Sequence, residues 1–125
     1  MNFVIKNLSE AYSDKAIGTS FFDVTIGTTV NKLKDLFSHY KISPVHECAD
    51  ESERVSIEWW ILVNDLDNNR EFAVTLYDYK CYNIAGHPNC YYRFHIGSMS
   101  IEESEYFKTL MIQLFKQHGL DIECM

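Results

Sequence analysis

The sequence predicts a single α+β domain in which an antiparallel sheet of about four strands carries two main helices on one side. Its 125 residues are close to the commonest domain size, and its 46% hydrophobic content is enough for one core. Two segments with helical periodicity alternate with segments of strand composition. The two most strand-like segments are joined by turn formers, as in a β-hairpin, and hairpins imply an antiparallel sheet.

The first clear strand is predicted over residues 20–26 (SFFDVTI), where β-branched and aromatic types dominate. Gly27 is expected to end it, and Thr28 or Thr29 to cap a helix that continues to about His39. A stripe of residues at three- and four-residue steps supports this helix: Val30, Leu33, Phe37 and Tyr40.

Two other stretches are less regular. Residues 1–18 are compatible with either an edge strand or a short helix. Ser43-Pro44 is expected to end the first helix, because the residue before a proline resists helical ψ. Residues 45–53 are polar and acidic, which predicts a loop.

The hairpin is predicted from residues 55–63 and 72–79, with turn formers between them. Because alternate side chains of a strand share a face, one face is predicted to carry Ile57, Trp59, Ile61, Val63, Phe72, Val74 and Leu76. Trp60 and Tyr77 are predicted on the opposite face.

A third strand is predicted over residues 91–96, with Arg93 and His95 on one face. The second main helix is predicted to start at Ser100, which has capping-box spacing to Glu103, and to end at Gly119.

The charge balance restricts the classes of partner. The formal net charge of −7 argues against general affinity for DNA, RNA or anionic membranes, which need a basic surface. It allows a basic protein partner, or a small anion in a locally positive pocket. The sequence has no apolar run of the ~20 residues that span a bilayer and no secretion signal, so the expected location is a cytosol. Reduced thiols are expected there at Cys48, Cys81, Cys90 and Cys124.

Catalytic and metal chemistry receive little support. The possible metal ligands are scattered and do not form the two tight pairs that are typical of structural zinc: His46, Cys48, Cys81, His87, Cys90 and His95. His95 could act as a general base oriented by Asp78, but a structural pair fits the same residues and is preferred. Glycine-rich phosphate loops and a G-x-S-x-G motif are absent. We therefore predict a protein that is not an enzyme and needs no metal or other cofactor.

Ligand binding is the better-supported alternative. Six rings offer planes on which a base could stack: Trp59, Trp60, Tyr77, Tyr79, Tyr91 and Tyr92. Lys80, Arg93 and His95 could contact phosphates. One stacked ring contributes ~1–3 kcal/mol per base, so a few such groups would support micromolar binding. Trp59 is instead assigned to the core.

Several short motifs occur in order along residues 18–105. They are Gly27-Thr28-Thr29 with Leu33 and Phe37, then Glu58-Trp59, then Tyr77-Asp78-Tyr79-Lys80, then His95-Ile96-Gly97. This order resembles a family of small phage-encoded proteins with the pattern T-T-x3-L, E-W, Y-D-[WY]-K and H-I-G. Three departures from the family pattern are visible: Ser38-His39 stands where the family tends to have glycine and Pro44 comes later, Phe94 replaces a tryptophan, and Ser98 replaces a second glycine.

The resemblance implies an anti-defence protein of the anti-CBASS sponge type, which sequesters a cyclic nucleotide immune signal without cleaving it. It further implies a homo-oligomer in the host cytoplasm. The main alternative is an acidic inhibitor of a host defence complex, similar to an anti-CRISPR protein, acting through Asp50, Glu51, Glu53, Asp65, Asp67, Glu102, Glu103 and Glu105. A metal- or histidine-dependent hydrolase is the third alternative.

Overall fold

The structure is a computed structural model that describes residues 1–8, 18–49, 54–80 and 83–120. Within these residues it contains six strands and two helices. In chain order they are β1 (Phe3–Asn7), β2 (Ser20–Thr28), α1 (Val30–Ser38), β3 (His46–Glu47), β4 (Ile57–Asp65), β5 (Arg70–Tyr77), β6 (Tyr92–Ser98) and α2 (Ile101–Gln117). The predicted α+β class, with an antiparallel sheet and two helices, is confirmed. The predicted number of about four strands is wrong.

The strands form one antiparallel sheet in the order β1-β4-β5-β6-β2, and β3 also pairs with β4. The two strands beyond the predicted four are β1 and β3. Both lie along the same side of β4, β1 opposite residues 61–65 and β3 opposite residues 57–58. β3 lies in the predicted loop, because a pair of residues is too short to show a strand period.

The β4–β5 hairpin closes between Asp65 and Arg70. Asp65 is fully buried, and its carboxylate accepts hydrogen bonds from the Asn68 side chain at 2.7 Å and the Asn68 N–H at 3.4 Å. Arg70 Nε lies 3.4 Å from the same carboxylate. The Asn68 hydrogen bonds, with a smaller contribution from Arg70, lower the pKa of Asp65 although its burial acts in the opposite direction.

The core lies between one face of the sheet and the two helices. Trp59 is fully buried there, with its ring centroid 5.6 Å from that of Phe37 on α1 and 6.2 Å from that of Phe94 on β6. From α2, the ring of Tyr106 packs edge-on against Phe72 at 5.7 Å. Both helices therefore pack on the face that the sequence assigned to Ile57, Trp59, Phe72 and their neighbours.

The helix ends are fixed by local hydrogen bonds. Thr29 caps α1 by accepting the Lys32 N–H at 3.2 Å, while β2 continues through Gly27 instead of ending there. α1 ends at Ser38, well before Pro44, so the proline does not terminate it. Neither described helix is both long and apolar enough to cross a membrane.

α2 has the predicted signals at both ends. Ser100 accepts the Glu103 N–H, and the Glu103 carboxylate accepts the Met99 N–H, each at 3.2 Å. Gly119 follows the helix with a φ of 67°, and the next N–H, from Leu120, reaches the Phe115 carbonyl at 2.8 Å. This is a Schellman motif, and its left-handed position favours glycine.

Candidate ligand-binding face

The candidate site lies on the second face of the sheet, opposite the helices. The register places Tyr77 of β5 beside His95 of β6, with Glu58 and Thr25 at either end of the same row. The next row contains Trp60, Thr75, Gly97 and Phe21. All these side chains share one face because their strand positions alternate with those of the core residues.

His95 is the centre of a group of rings. Its imidazole stacks on Phe21 with a centroid distance of 4.2 Å and an interplanar angle of 11°. Tyr77 meets it edge-on at 5.5 Å, while the centroids of Tyr79 and Tyr92 lie 6.2 and 6.3 Å away. We call His95 and these four residues the aromatic cluster.

Hydrogen bonds fix the end of the cluster that lies beyond β5. The Tyr92 hydroxyl accepts the Tyr79 N–H at 3.0 Å and lies 3.3 Å from the Tyr79 carbonyl oxygen. Lys80 is exposed and holds its ammonium 5.4 Å from the Tyr79 ring centroid. The Lys80 N–H donates to the Arg54 carbonyl at 2.7 Å, which fixes the backbone at a φ of 52°. A cation therefore lies directly beside the aromatic cluster.

Gly97 lies opposite Phe21, in the row next to His95. Phe21 pairs with Gly97 across the β2–β6 ladder, so no side chain of β6 stands opposite it. A Cβ at Gly97 would lie 2.3 Å from Thr75 Oγ1 and 3.6 Å from the Tyr77 ring. The site has no space for any larger residue at this position.

A β-bulge in β2 adjoins the cluster. Phe21 pairs with Gly97 and Thr25 with His95, so residues 22–24 of β2 lie opposite the single residue Ile96. Asp23, at the middle of the bulge, is exposed and has a φ of 64°. Bulges of this kind change the direction of side chains and are common beside functional sites. A non-glycine residue at positive φ is also uncommon and strained.

Burial dominates the electrostatics of the cluster. Desolvation among the rings lowers the pKa of His95, although the negative charges of Asp78 and Asp23 act in the opposite direction. Desolvation also raises the pKa of Tyr77, and the charges of Glu58 and Tyr79 add to that shift. At neutral pH the cluster therefore presents a neutral imidazole and a neutral phenol.

Asp78 has a structural position. It is 1% exposed, and its carboxylate accepts the N–H groups of Ser56 and Ile57 at 2.8 and 2.9 Å and the Ser56 hydroxyl at 2.7 Å. Ser56 Oγ in turn accepts the Ala85 N–H at 3.0 Å. These bonds tie the start of β4 to the 3-10 turn Ile84–Gly86. The negative charge of Asp78 acts on His95 through space. The hydrogen bonds of its carboxylate go to Ser56 and Ile57, however, and not to His95 as in the predicted pair.

The structure brings most of the predicted binding residues together. Tyr77, Tyr79, Lys80 and His95 adjoin one another in or beside the aromatic cluster, and neither Tyr77 nor His95 is fully buried. Arg93 is exposed on the same face, two positions from His95 and opposite Gly27.

Trp60 belongs to a different group. Its ring packs against the small buried cluster of Leu8, Leu62 and Ala73, and its indole N–H donates to the Glu58 carboxylate. It is on the predicted face, but it lies one row away from His95, on β4 instead of β5 or β6.

Sequence reasoning named Tyr92 among the stacking rings but missed Phe21 as a member of the cluster. Strand alternation places Tyr92 on the core face, where its ring meets Phe94 edge-on at 5.1 Å, yet its centroid also lies 6.3 Å from that of His95. Phe21 lies opposite Gly97 in the β2–β6 pairing, and its place beside His95 could be recognised only once that pairing was known.

The scattered metal-type residues take separate positions. His46 Nε2 bonds the Val55 carbonyl at 3.0 Å, His87 follows the 3-10 turn, and Cys48 and Cys90 are free thiols. In the described part of the chain, no group of three or more histidine, cysteine, aspartate or glutamate side chains is arranged to hold a metal ion. Cys81 and Cys124 lie outside the described residues.

The acidic residues assigned to the inhibitor alternative are also dispersed. Asp65 is buried in the hairpin, and Asp67 accepts the backbone and side-chain N–H groups of Asn2 at 2.9 and 3.0 Å. Glu103 caps α2, while Glu102 and Glu105 are exposed on it. The remaining three, Asp50, Glu51 and Glu53, lie outside the described residues.

Comparison of the chain with protein-family models, with curated proteins and with solved structures found no match.

Proposed function

We propose that this chain is a phage anti-defence protein that binds a cyclic nucleotide immune signal and sequesters it without cleaving it. The proposal places the protein in the host cytoplasm, as a homo-oligomer. The observation that carries it is the aromatic cluster around His95, with Lys80 beside it and Arg93 on the same face. A nucleotide consists of an aromatic base and an anionic phosphate, and rings next to cations suit both parts.

The size of the cluster supports specific binding instead of weak surface contact. Each aromatic side chain that stacks on a base contributes ~1–3 kcal/mol, and a charge-assisted hydrogen bond to a phosphate is roughly twice as strong as a neutral one. Two stacking contacts and one phosphate contact would therefore contribute roughly 3.5–9 kcal/mol before the cost of association, and the upper end of that range corresponds to a dissociation constant of about micromolar.

Sequestration without cleavage is favoured by the partners of the ionisable groups. A histidine base that activates water is usually oriented by a hydrogen-bonded carboxylate. Asp78 instead directs its oxygens to Ser56 and Ile57. His95 is held by ring contacts, an arrangement that suits packing against a ligand better than accepting a proton from water.

The decisive experiment is a binding and recovery assay. The purified chain is titrated with a panel of cyclic di- and trinucleotides by calorimetry, then denatured, and the released nucleotide is analysed by chromatography and mass spectrometry. We expect micromolar or tighter binding of at least one nucleotide and its recovery intact. Recovery of a linear or hydrolysed product would instead identify an enzyme. No binding to any member of the panel would refute the proposal and favour the protein-inhibitor alternative.

A matched pair of variants tests whether the aromatic cluster is the site. Lys80→Gln removes the cation beside Tyr79, and Lys116→Gln removes an exposed lysine from the last turn of α2. We expect Lys80→Gln to weaken binding about tenfold, the loss of one charge-assisted contact of ~1.5 kcal/mol, and Lys116→Gln to leave it unchanged. Equal affinities of the two variants would place the site elsewhere.

A further inference from the structure

The bulge in β2 places two side chains of different chemistry beside His95. Phe21 stacks directly on the imidazole, and Asp23 is two residues before Thr25, the ladder partner of His95, so its charge acts on the same ring. Both belong to the edge strand β2, and residues 22–24 between the two ladder contacts are opposite a single residue of β6. The extra residues direct Asp23 out of the ladder, at the expense of an uncommon backbone conformation.

Phe21 has the position of a stacking platform. One face of its ring is against His95, yet the side chain is 37% exposed, so its exposed area belongs to the other face and the ring edge. A planar base laid on that face would extend the existing stack of Phe21 on His95. Large exposed rings supported from behind are the usual platforms for nucleobases.

The charges on this face are separated along the strands. Asp23 lies at the level of Ile96, and Arg93 is three residues further along β6, about 10 Å away at ~3.3 Å per residue. Lys80 is at the Arg93 end, next to Tyr79 and Tyr92. An anion would be repelled at the Asp23 end and attracted at the other. A nucleotide bound here would therefore have its phosphate at Arg93 and Lys80 and its base toward Asp23.

A carboxylate is selective among bases. Its two oxygens accept two hydrogen bonds, and guanine presents two donors side by side, N1–H and the N2 amino group. Adenine presents one amino donor next to the N1 lone pair, which a carboxylate repels. In the described part of the chain no hydrogen bond or ion pair engages the Asp23 carboxylate. Its acceptors are therefore not satisfied by those residues.

We propose that Phe21 and Asp23 form the base-recognition subsite of the ligand-binding face and that they select a guanine-containing nucleotide over its adenine counterpart. This inference rests on the proposed function, because it assumes that the face binds a nucleotide. Phe21 supplies the stacking surface for any base, and Asp23 supplies the discrimination.

The test compares cyclic dinucleotides that differ only in their bases: cyclic diguanylate, cyclic diadenylate and the cyclic di-inosine analogue, each titrated into the full chain by calorimetry. We expect the diguanylate to bind at least about tenfold more tightly than the diadenylate, as for a bidentate contact to a base edge. Inosine lacks the N2 amino group but retains N1–H, so its affinity should lie between the two.

Asp23→Asn is the informative variant, since asparagine tolerates positive φ and presents one donor and one acceptor. We expect it to abolish or reverse the preference for guanine while the diadenylate still binds. Asp35→Asn on α1, which removes a charge from an exposed side chain, is the matched control and should keep the preference. Phe21→Leu should weaken the binding of all three ligands by a similar factor.

The possible failures are distinct. Equal binding of the guanine and adenine ligands, or a preference that persists in Asp23→Asn, overturns the base-recognition subsite but leaves nucleotide sequestration intact. Absence of binding to all three ligands and to the wider panel of cyclic nucleotides overturns both proposals.

Discussion

The residues packed around His95 also determine its ionisation. The imidazole has Phe21 on one face and Tyr77 at its edge, so it is partly removed from water and its pKa is lowered. Gly97, in the neighbouring row, has no room for a side chain, because Thr75 Oγ1 occupies the space where one would begin. A glycine with ordinary backbone angles is thus required here for close approach and not for its conformational freedom.

The requirement for Gly97 predicts a specific double-mutant cycle. Gly97→Ala places a methyl group 2.3 Å from Thr75 Oγ1, and overpacking of this kind costs about 1–3 kcal/mol of the free energy of unfolding. Combination with Thr75→Ala removes the opposing oxygen, so the double variant should lose less stability than the sum of the two single variants. Urea denaturation of the four proteins measures the coupling, and strict additivity would contradict this account of the contact.

Secondary-structure elements differ in how locally they are specified. α2 has an N-terminal capping box and a C-terminal glycine in the left-handed conformation, all within its own sequence. β2 is different, because its bulge is defined only by its pairing with β6. The orientation that the bulge gives to Asp23 has a consequence only because His95 of β6 is nearby. The helix is therefore a property of its sequence, whereas the bulge is a property of the sheet.

The cap of α2 predicts the effect of a single substitution. Ser100→Ala removes the acceptor of the Glu103 N–H and should lower the free energy of unfolding by about 1 kcal/mol. Ser38→Ala in the last turn of α1 is the control, because that hydroxyl is exposed and donates only to the carbonyl three residues earlier. Chemical denaturation should show a shift for Ser100→Ala and little for Ser38→Ala. Equal shifts would indicate that the cap contributes nothing particular.

At the scale of the whole molecule, the two faces of the sheet have different surroundings. Both helices cover the face that contains Trp59, and the described part of the second face holds the Trp60 group at one side and the aromatic cluster at the other. Because the cluster is polar in part and half-buried, its ionisation is coupled to folding of the entire chain.

This coupling predicts how stability depends on pH. The folded-state pKa of His95 is lowered, mainly by desolvation, below the ordinary value of 6.5. Between the lowered value and 6.5 the unfolded chain binds more protons than the folded chain, so stability is complete above 6.5 and falls as the pH decreases through that window. Below the folded-state pKa the loss attributable to His95 should level off.

The measurement is the urea midpoint of the wild type and of His95→Gln at a series of pH values from 8 down to about 5. The variant should be less stable at pH 8, since it loses the ring stack, but its stability should fall less steeply below 6.5. His87→Gln, at an exposed position, controls for removal of a histidine. Parallel curves for the wild type and His95→Gln would contradict a buried, neutral His95.

Local sequence signals correctly predicted the helix caps and the alternation of side chains along the hairpin strands. The cap at Thr29, both ends of α2 and the two faces of the β4–β5 hairpin were read from residue spacing. For residues 1–18 the sequence left an edge strand and a short helix open, and β1 at Phe3–Asn7 is a strand. β3 was not predicted, because a strand of two residues is defined mainly by its partner β4. The expected end of β2 at Gly27 was wrong for the same reason, since ladder contacts with β6 continue the strand to Thr28.

The sequence by itself determined the α+β class, the helix ends, the buried face of the sheet and the closeness of Tyr77, Tyr79 and Lys80. These follow from periodicity, capping chemistry and proximity along the chain, which are all local. Only the tertiary structure decided that Phe21 stacks on His95, that Asp23 adjoins it from a bulge, and that Trp60 lies apart. Those relations depend on which strands are neighbours and in what register, and a one-residue change of register would reverse every face.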